Sequence, residues 1–201
     1  MIGFEGMDEN IMKYKSILPH CAGKKVLDYG CGIGLGSYIL SHYSDQVYGY
    51  DPNKDAIEEA RKKFGEKTNL SFIDRQDNSG YRLIDIIAFV DVIEYMEKDE
   101  AKKTLEEFSL LGCDLICTTP NGDIIYQPSP STTIMERRVQ IRHYSELDLF
   151  DLFQRYYSFV DITGHLRDLR LNHFTGYTVF ASNRIEWNHQ KIGTDIAALC
   201  K

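Results

Sequence analysis

A glycine-rich turn directly after an apolar strand is the feature that most constrains how this chain folds. The segment reads Val26-Leu27-Asp28-Tyr29-Gly30-Cys31-Gly32-Ile33-Gly34, with three glycines at two-residue spacing. A second apolar run, residues 47–50, ends on Asp51. Glycines let a turn approach a ligand closely, and an acid at the tip of the next parallel strand can accept both hydroxyls of a ribose. The pair predicts a nucleoside-binding cleft at the carboxyl edge of an open α/β sheet.

The spacing of the glycines separates this turn from two other nucleotide-binding motifs. A dinucleotide fingerprint needs a further glycine where this chain has Leu35 or Ser37. The sequence also contains no phosphate loop of the Gly-x-x-x-x-Gly-Lys-Ser/Thr type. The pattern that is left, Asp-x-Gly-x-Gly-x-Gly, resembles the class I S-adenosylmethionine-dependent methyltransferases.

This resemblance implies S-adenosylmethionine as the cofactor and a set of residues that hold it. In the family, the glycine turn cradles the methionine part of the cofactor, and the acid after the second strand binds the ribose. The implied cofactor-binding residues of this chain are Asp28, Gly30, Gly32, Gly34, Asp51, Asp74 and Asp91. The alternative is a glycine turn that only packs a helix, and the agreement of the glycines with both acids disfavours it.

Length, charge and cysteine content narrow the class of protein. The 201 residues suit one domain, and the net charge of −7 argues against a general polyanion binder. No apolar run reaches the roughly 20 residues of a membrane span, and residues 1–5 lack the features of a signal peptide. The five cysteines lack zinc-type spacing. They indicate reduced core residues, so we expect a cytoplasmic protein.

Alternating strand-like and helix-like segments predict the fold class. Apolar runs at residues 24–29, 46–50, 70–73, 83–90 and 114–119 predict five strands, with helical patterns between them. Two later runs, 159–163 and 177–181, predict an antiparallel pair. With the family resemblance, this order implies an α/β fold: a Rossmann-like seven-stranded, mostly parallel sheet with helices on both faces and an antiparallel C-terminal edge strand.

The ends of the chain and one long irregular segment complete the expected organisation. We expect a single domain over residues 1–185, with an N-terminal lid helix within 1–20 closed by Pro19, and a polar C-terminal tail at 186–201. Residues 120–144 are rich in Pro, Ser and Thr and carry a basic cluster of Arg137, Arg138 and Arg142. Loops of this length are usually functional, so this one is predicted to contact the substrate.

Segments that follow the fourth and fifth strands narrow the resemblance to two groups within this family. Residues 91–95, 119–121 and His143 resemble the ubiquinone-biosynthesis O-methyltransferases and the methyltransferases of small-RNA 3′ ends. Both groups hold a divalent metal through Glu and His positions, but this chain has Tyr95 where the pattern has histidine. A metal centre lacking one ligand is therefore an alternative that we do not favour.

Without metal, Glu94 and His143 are the candidate catalytic residues of the acceptor pocket. Histidine is the usual general base near neutral pH, so we assign that role to His143. Each residue also has a purely structural interpretation. Asp91 and Glu94 can cap the segment after the fourth strand, and His143 can be a satisfied loop histidine.

The sequence thus favours an enzyme that methylates an oxygen atom of a small-molecule acceptor with S-adenosylmethionine. The first alternative is a nucleic-acid or nucleotide-end (2′-O type) methyltransferase, favoured by the arginine cluster and disfavoured by the overall acidity. The second is a non-catalytic relative that only binds the cofactor. A nucleic-acid partner is not favoured, and we expect no membrane span.

Overall fold

The computed structural model describes residues 5–73, 84–122, 142–168 and 173–184. The helices and strands follow in the order α1 (Glu5–Cys21), β1 (Lys25–Tyr29), α2 (Leu35–Leu40), β2 (Gln46–Tyr50), α3 (Lys54–Phe64), β3 (Leu70–Ile73), β4 (Ile86–Val90), a 3-10 turn (Ile93–Tyr95), α4 (Lys98–Leu110), β5 (Asp114–Pro120), α5 (Glu146–Phe153), β6 (Phe159–Asp168) and β7 (His173–Ser182). The predicted tail at 186–201 lies outside the described residues, and the domain limits stay a prediction.

The strands form one sheet in the order β3-β2-β1-β4-β5-β7-β6. The first five strands of this order pair in parallel. The strand β7 runs antiparallel to both of its neighbours, β5 and β6. The predicted fold class is confirmed, with one added detail: the antiparallel strand lies inside the sheet, and β6 is the outermost strand at that end.

Two apolar cores, one on each face of the sheet, account for this layered arrangement. The strand β4 is buried along its whole length, and its residues point alternately into the two cores. Helices α1, α2 and α3 cover one face, and α4 and α5 cover the other. The four cysteines of the described residues are buried and unpaired, as predicted for reduced core residues. None of the described helices is long and apolar enough to cross a membrane.

The N-terminal helix α1 differs from the prediction at its carboxyl end. Pro19 does not close the helix, because α1 continues through it to Cys21. A proline in a helix removes one N–H donor and crowds the preceding turn. The apolar face compensates for this loss, since Ile17 and Cys21 are completely buried against the sheet. Packing against the sheet therefore carries the helix one turn farther than the local sequence predicts.

Candidate cofactor and acceptor site

The sheet brings the glycine turn and Asp91, both predicted to bind the cofactor, together at the carboxyl ends of its central strands. The strands β1 and β4 are parallel neighbours, and the chain order reverses between them. In open α/β sheets, ligands bind in the crevice outside the carboxyl ends of the strands at this kind of switch point. The glycine turn follows β1 and Asp91 follows β4, so both flank the crevice.

The glycine turn leaves open space at its middle glycine. Gly30, Gly32 and Gly34 have φ values of 85°, 53° and 85°, a region that disfavours residues with a side chain. A Cβ on Gly30 would collide with Val92, and a Cβ on Gly34 would meet Phe72 and Ala60 within 3 Å. A Cβ on Gly32 would meet nothing within 4 Å. The turn is therefore closed by packing at its ends and open at its centre, where a ligand can approach the backbone.

The carboxylate of Asp51 supports the centre of this turn. Its Oδ2 accepts a hydrogen bond from the backbone N–H of Gly32 at 2.9 Å, and its Oδ1 accepts one from that of Asn53 at 2.9 Å. The backbone N–H groups of Gly30 and Cys31 donate to the carbonyl of Tyr50 at 2.7 and 2.9 Å. The tip of β2 thus holds the turn after β1 in place. The structure puts Asp51 beside the open space, and its contact with a ribose stays a prediction.

Asp28 lies beneath the turn, on the face that α1 and α2 cover. Tyr14 Oη donates a hydrogen bond to its Oδ1 at 3.0 Å, and Ser37 Oγ donates one to its Oδ2 at 2.6 Å. The side chain is completely buried, and this burial raises the pKa of Asp28 to about 6 in spite of both hydrogen bonds. Asp28 therefore ties two helices to β1. Its predicted direct contact with the cofactor is untested.

Asp91 takes an unusual backbone conformation at the end of β4. Its φ is 53°, the left-handed region that few residues other than glycine adopt. Thr118 Oγ1 donates to Asp91 Oδ1 at 3.1 Å, and Lys13 Nζ pairs with Oδ2 at 2.5 Å. Backbone strain of this kind is often found at functional sites. The next residue, Val92, is the one that packs against Gly30, so Asp91 borders the glycine turn.

Glu94 is a buried acid in the 3-10 turn after β4. Thr119 Oγ1 donates to its Oε2 at 3.1 Å, while its Oε1 is buried with no hydrogen-bond partner among the described residues. Burial, and next the charge of Asp91, raise the pKa of Glu94 to about 8, and Lys13 opposes the shift. Burial therefore favours the protonated form of Glu94, which can donate a hydrogen bond through the unpartnered oxygen.

The segment around His143 is anchored to the ends of two strands. The backbone N–H of Arg142 donates to the carbonyl of Glu94 at 3.0 Å, and that of Gly122 donates to the carbonyl of Tyr144 at 2.8 Å. Tyr144 is buried, whereas the side chain of His143 is exposed and has no hydrogen-bond partner among the described residues. The backbone of Arg142 thus contacts that of Glu94, and the next residue, His143, has its ring open to solvent.

The candidate metal ligands do not assemble in the structure. Within the described residues, no group of three or more His, Cys, Asp and Glu side chains is arranged to hold a metal ion, although Asp91, Glu94 and His143 are all described. Two of them lie close together, since the charge of Asp91 acts on Glu94. The residues present do not fit the metal centre that the resemblance implies.

One predicted site residue and part of the predicted loop fall outside the described residues. Asp74, predicted to contact the cofactor, follows the last described residue of β3. Arg137 and Arg138 of the basic cluster lie in the segment 123–141, which is also outside.

Lys13 lies beside the crevice but was not among the residues predicted from the sequence. Its side chain is only 7% exposed and reaches Asp91, which is 78 residues away in the chain. A signal was present, because Lys13 stands one helical turn before Ile17 and two turns before Cys21, both on the buried face of α1. A lysine on the apolar face of a helix needs a partner, and this one has an acid at the crevice.

Comparison with known proteins agrees with this geometry. Residues 26–111 match the family described as "Methyltransferase domain". A protein of Mycolicibacterium smegmatis, named "Probable S-adenosylmethionine-dependent methyltransferase", is 28% identical over 127 residues, covering 60% of this chain and 47% of that protein. A protein of Mycobacterium tuberculosis with a similar name is 26% identical over 126 residues, covering 60% of this chain and 44% of that protein. The chain thus spans less than half the length of these curated relatives.

Solved structures share the fold at low identity. The small RNA methyltransferase HEN1 superposes with a TM-score of 0.72 and 20% identity, over 88% of this chain and 25% of that one. The N-methyltransferase NodS of Bradyrhizobium japonicum, in complex with S-adenosyl-L-homocysteine, gives a TM-score of 0.65 and 14% identity, over 89% and 87% of the two chains. The matched residues 26–111 include the glycine turn and Asp51, so this part of the chain is similar to methyltransferase domains, and the described fold is similar to those of solved methyltransferases.

Proposed function

We propose that the chain is an S-adenosylmethionine-dependent methyltransferase that methylates an oxygen atom of a small-molecule acceptor. The observation that carries this proposal is the open space at Gly32 with Asp51 beneath it. A backbone cradle with an acid at the neighbouring strand tip suits an adenosine ligand with a ribose. The buried Glu94 stands on the acceptor side of the same crevice.

The residues of the chain divide into a cofactor side and an acceptor side. When bound, the cofactor supplies an activated methyl group on a sulfonium, so the protein mainly contributes proximity and orientation. The glycine turn would cradle the methionine part, Asp51 would bind the ribose, and Asp91 would contribute to binding the amino-acid end. On this division, Glu94 and His143 would lie on the acceptor side.

Proton handling on the acceptor side is assigned to two residues in different protonation states. Glu94 holds its proton at neutral pH, because burial raises its pKa to about 8, so it can donate a hydrogen bond that orients the acceptor oxygen. His143 is exposed, and its ring can accept the proton that the acceptor hydroxyl loses. This pairing of a protonated acid with a histidine favours oxygen as the methylated atom.

A methyl-transfer assay tests the proposal. The protein is incubated with methyl-labelled cofactor and, in separate reactions, with pooled small metabolites or with short RNA. We expect label in the low-molecular-mass fraction. Label in neither reaction, with cofactor binding intact, would favour the non-catalytic relative instead.

Methylation of a nucleic-acid end is the second candidate function, favoured by Arg142. Its Nε is buried without a hydrogen-bond partner among the described residues, and its backbone contacts Glu94. A guanidinium beside the acceptor site suits a phosphate, and the structurally similar HEN1 is titled a small RNA methyltransferase. The net charge of −7 disfavours it. Label in RNA alone would support this second function and overturn the first.

The predicted cytoplasmic location stays part of the proposal. It rests on the buried, unpaired cysteines of the described residues, which suit a reducing compartment.

A further inference from the structure

The N-terminal helix α1 places a buried lysine at the cofactor crevice. Lys13 Nζ lies 2.5 Å from Asp91 Oδ2, and the side chains of the two residues are 7% and 19% exposed. The next residue of the helix, Tyr14, donates a hydrogen bond to Asp28 at the end of β1. Lys13 thus reaches the acid that follows β4, and Tyr14 reaches the acid near the end of β1. The helix α1 therefore spans the switch point of the sheet.

The surroundings of Lys13 coincide with the rim of the glycine turn. Burial raises the pKa of the neighbouring Tyr14, and the nearby charges of Asp28, Cys31 and Asp91 raise it further. Asp91 directly precedes Val92, which packs against Gly30. The ammonium group of Lys13 therefore lies where the turn after β1 meets the segment after β4.

A buried ion pair beside a ligand crevice has a specific electrostatic consequence. Lys13 offers a positive group and Asp91 a negative one at a single place of low exposure. An amino acid in its zwitterionic form carries the complementary pair, an α-carboxylate and an α-ammonium. Docking these two pairs head to tail buries no net charge, and it pairs each charge with an opposite one.

We propose, building on the function proposed above, that Lys13 binds the α-carboxylate of the cofactor's amino-acid end and that Asp91 receives its α-ammonium group. Lys13 is then a residue that determines specificity for the amino-acid end, and α1 is part of the cofactor site. The competing explanation is that Lys13 only fastens α1 to the sheet. In that case its removal loosens the whole crevice and affects all adenosine ligands alike.

Binding calorimetry with two ligands separates these explanations. S-Adenosyl-L-homocysteine carries the amino-acid end, and 5′-methylthioadenosine has the same adenosine and thioether without it. Lys13→Met removes the charge and keeps the aliphatic chain. Lys15→Met is the matched control, since Lys15 is exposed on the same helix. We expect Lys13→Met to weaken binding of S-adenosyl-L-homocysteine about 10- to 100-fold, as for a lost charged hydrogen bond, and to leave 5′-methylthioadenosine unchanged. Lys15→Met should change neither.

The outcomes distinguish failure of this inference from failure of the proposed function. An equal loss for both ligands, or no loss for either, would overturn the role of Lys13 while leaving adenosine binding in place. Absence of binding of both ligands to the wild-type protein would instead overturn the proposed function itself. If Lys13→Met does not fold, the proposal can still be tested by a measurement on the wild-type protein alone. The analogue of S-adenosyl-L-homocysteine that lacks only the carboxylate should bind at least about 10-fold more weakly, and equal binding would contradict the proposal.

Discussion

Asp51 accepts a hydrogen bond from the backbone N–H of Gly32 at 2.9 Å, which joins the tip of β2 to the open centre of the glycine turn. The acid is 1% exposed, and its other oxygen accepts from the backbone of Asn53. The residue predicted to bind the ribose therefore also shapes the turn that would cradle the rest of the cofactor. Changes at either residue should act first on cofactor binding.

Asp51→Ala should weaken binding of S-adenosyl-L-homocysteine. The variant removes a charged acceptor worth about 1.5–3 kcal/mol to its partners. In the wild type, this ligand at 100 times its dissociation constant should raise the free energy of unfolding by about 2.7 kcal/mol, measured by thermal or urea unfolding. Asp45→Ala is the control, because Asp45 is exposed at the amino end of the same strand. Unchanged affinity in Asp51→Ala, or stabilisation of the wild type by NAD instead, would contradict the assignment.

Gly32→Val should abolish cofactor binding and leave the fold largely intact. A side chain at Gly32 meets no protein atom within 4 Å and would occupy the space meant for the ligand. Gly23→Val separates this effect from backbone strain, because Gly23 also has a positive φ, 64°, and free space around it. Both variants should lose on the order of 1–2 kcal/mol of stability from the left-handed backbone. Only Gly32→Val should lose ligand binding in calorimetry, so a folded Gly32→Val protein with normal affinity would refute the cradle.

Glu94→Gln should change how stability depends on pH. Burial raises the pKa of Glu94 to about 8 in the folded state, above its ordinary value of 4.5, so the folded protein binds this proton more tightly than the unfolded chain does. The wild type is therefore progressively destabilised as pH rises from about 4.5 to 8, and the neutral glutamine escapes this effect. Urea unfolding at pH 5.5 and 8.5 should show a larger advantage for Glu94→Gln at pH 8.5. Glu97→Gln, at an exposed position, should show no such trend, and an equal trend in both variants would contradict the prediction.

His143→Ala should slow methyl transfer by roughly 10²–10⁴-fold and leave the affinity for S-adenosyl-L-homocysteine nearly unchanged. His143 is the proposed general base; its side chain is exposed, and it follows Arg142, whose backbone N–H contacts the carbonyl of Glu94. His42→Ala, at another exposed histidine, is the control in the same assay. A rate equal to that of the wild type would remove His143 from the mechanism.

Methyl transfer should persist in the presence of a chelator such as EDTA. The candidate ligands Asp91, Glu94 and His143 do not form a metal-holding group, and Tyr95 replaces the histidine of the family pattern. Tyr95→His provides a complementary test of metal binding. It restores the histidine ligand and should increase Mn²⁺ binding relative to the wild type. Activity lost in chelator and restored by Mg²⁺ or Mn²⁺ would show the metal-free assignment to be wrong.

The sequence predicted the local elements of the fold, with the largest errors in β6 and β7, which extend beyond the predicted runs 159–163 and 177–181. Strands β2 and β3 have the predicted bounds, and α5 begins after Ser145, whose capping box with Asp148 is a local feature of the sequence. These features depend on residues only a few positions apart, so spacing and side-chain type suffice to predict them. The predicted end of α1 was wrong because it depends on distant residues. Burial of Cys21 against the sheet outweighs the local effect of Pro19.

By itself, the sequence determined the order of strands and helices, the glycine turn and the acids that follow the strands. Only the tertiary structure decided which of these acids face which partners. It buried Asp28 between Tyr14 and Ser37, paired Asp91 with Lys13 from 78 positions away, and inserted β7 between β5 and β6. The physical reason is that a carboxylate takes its role from the donors and charges packed around it. The chain supplies those groups from distant segments, which meet only when the sheet is formed.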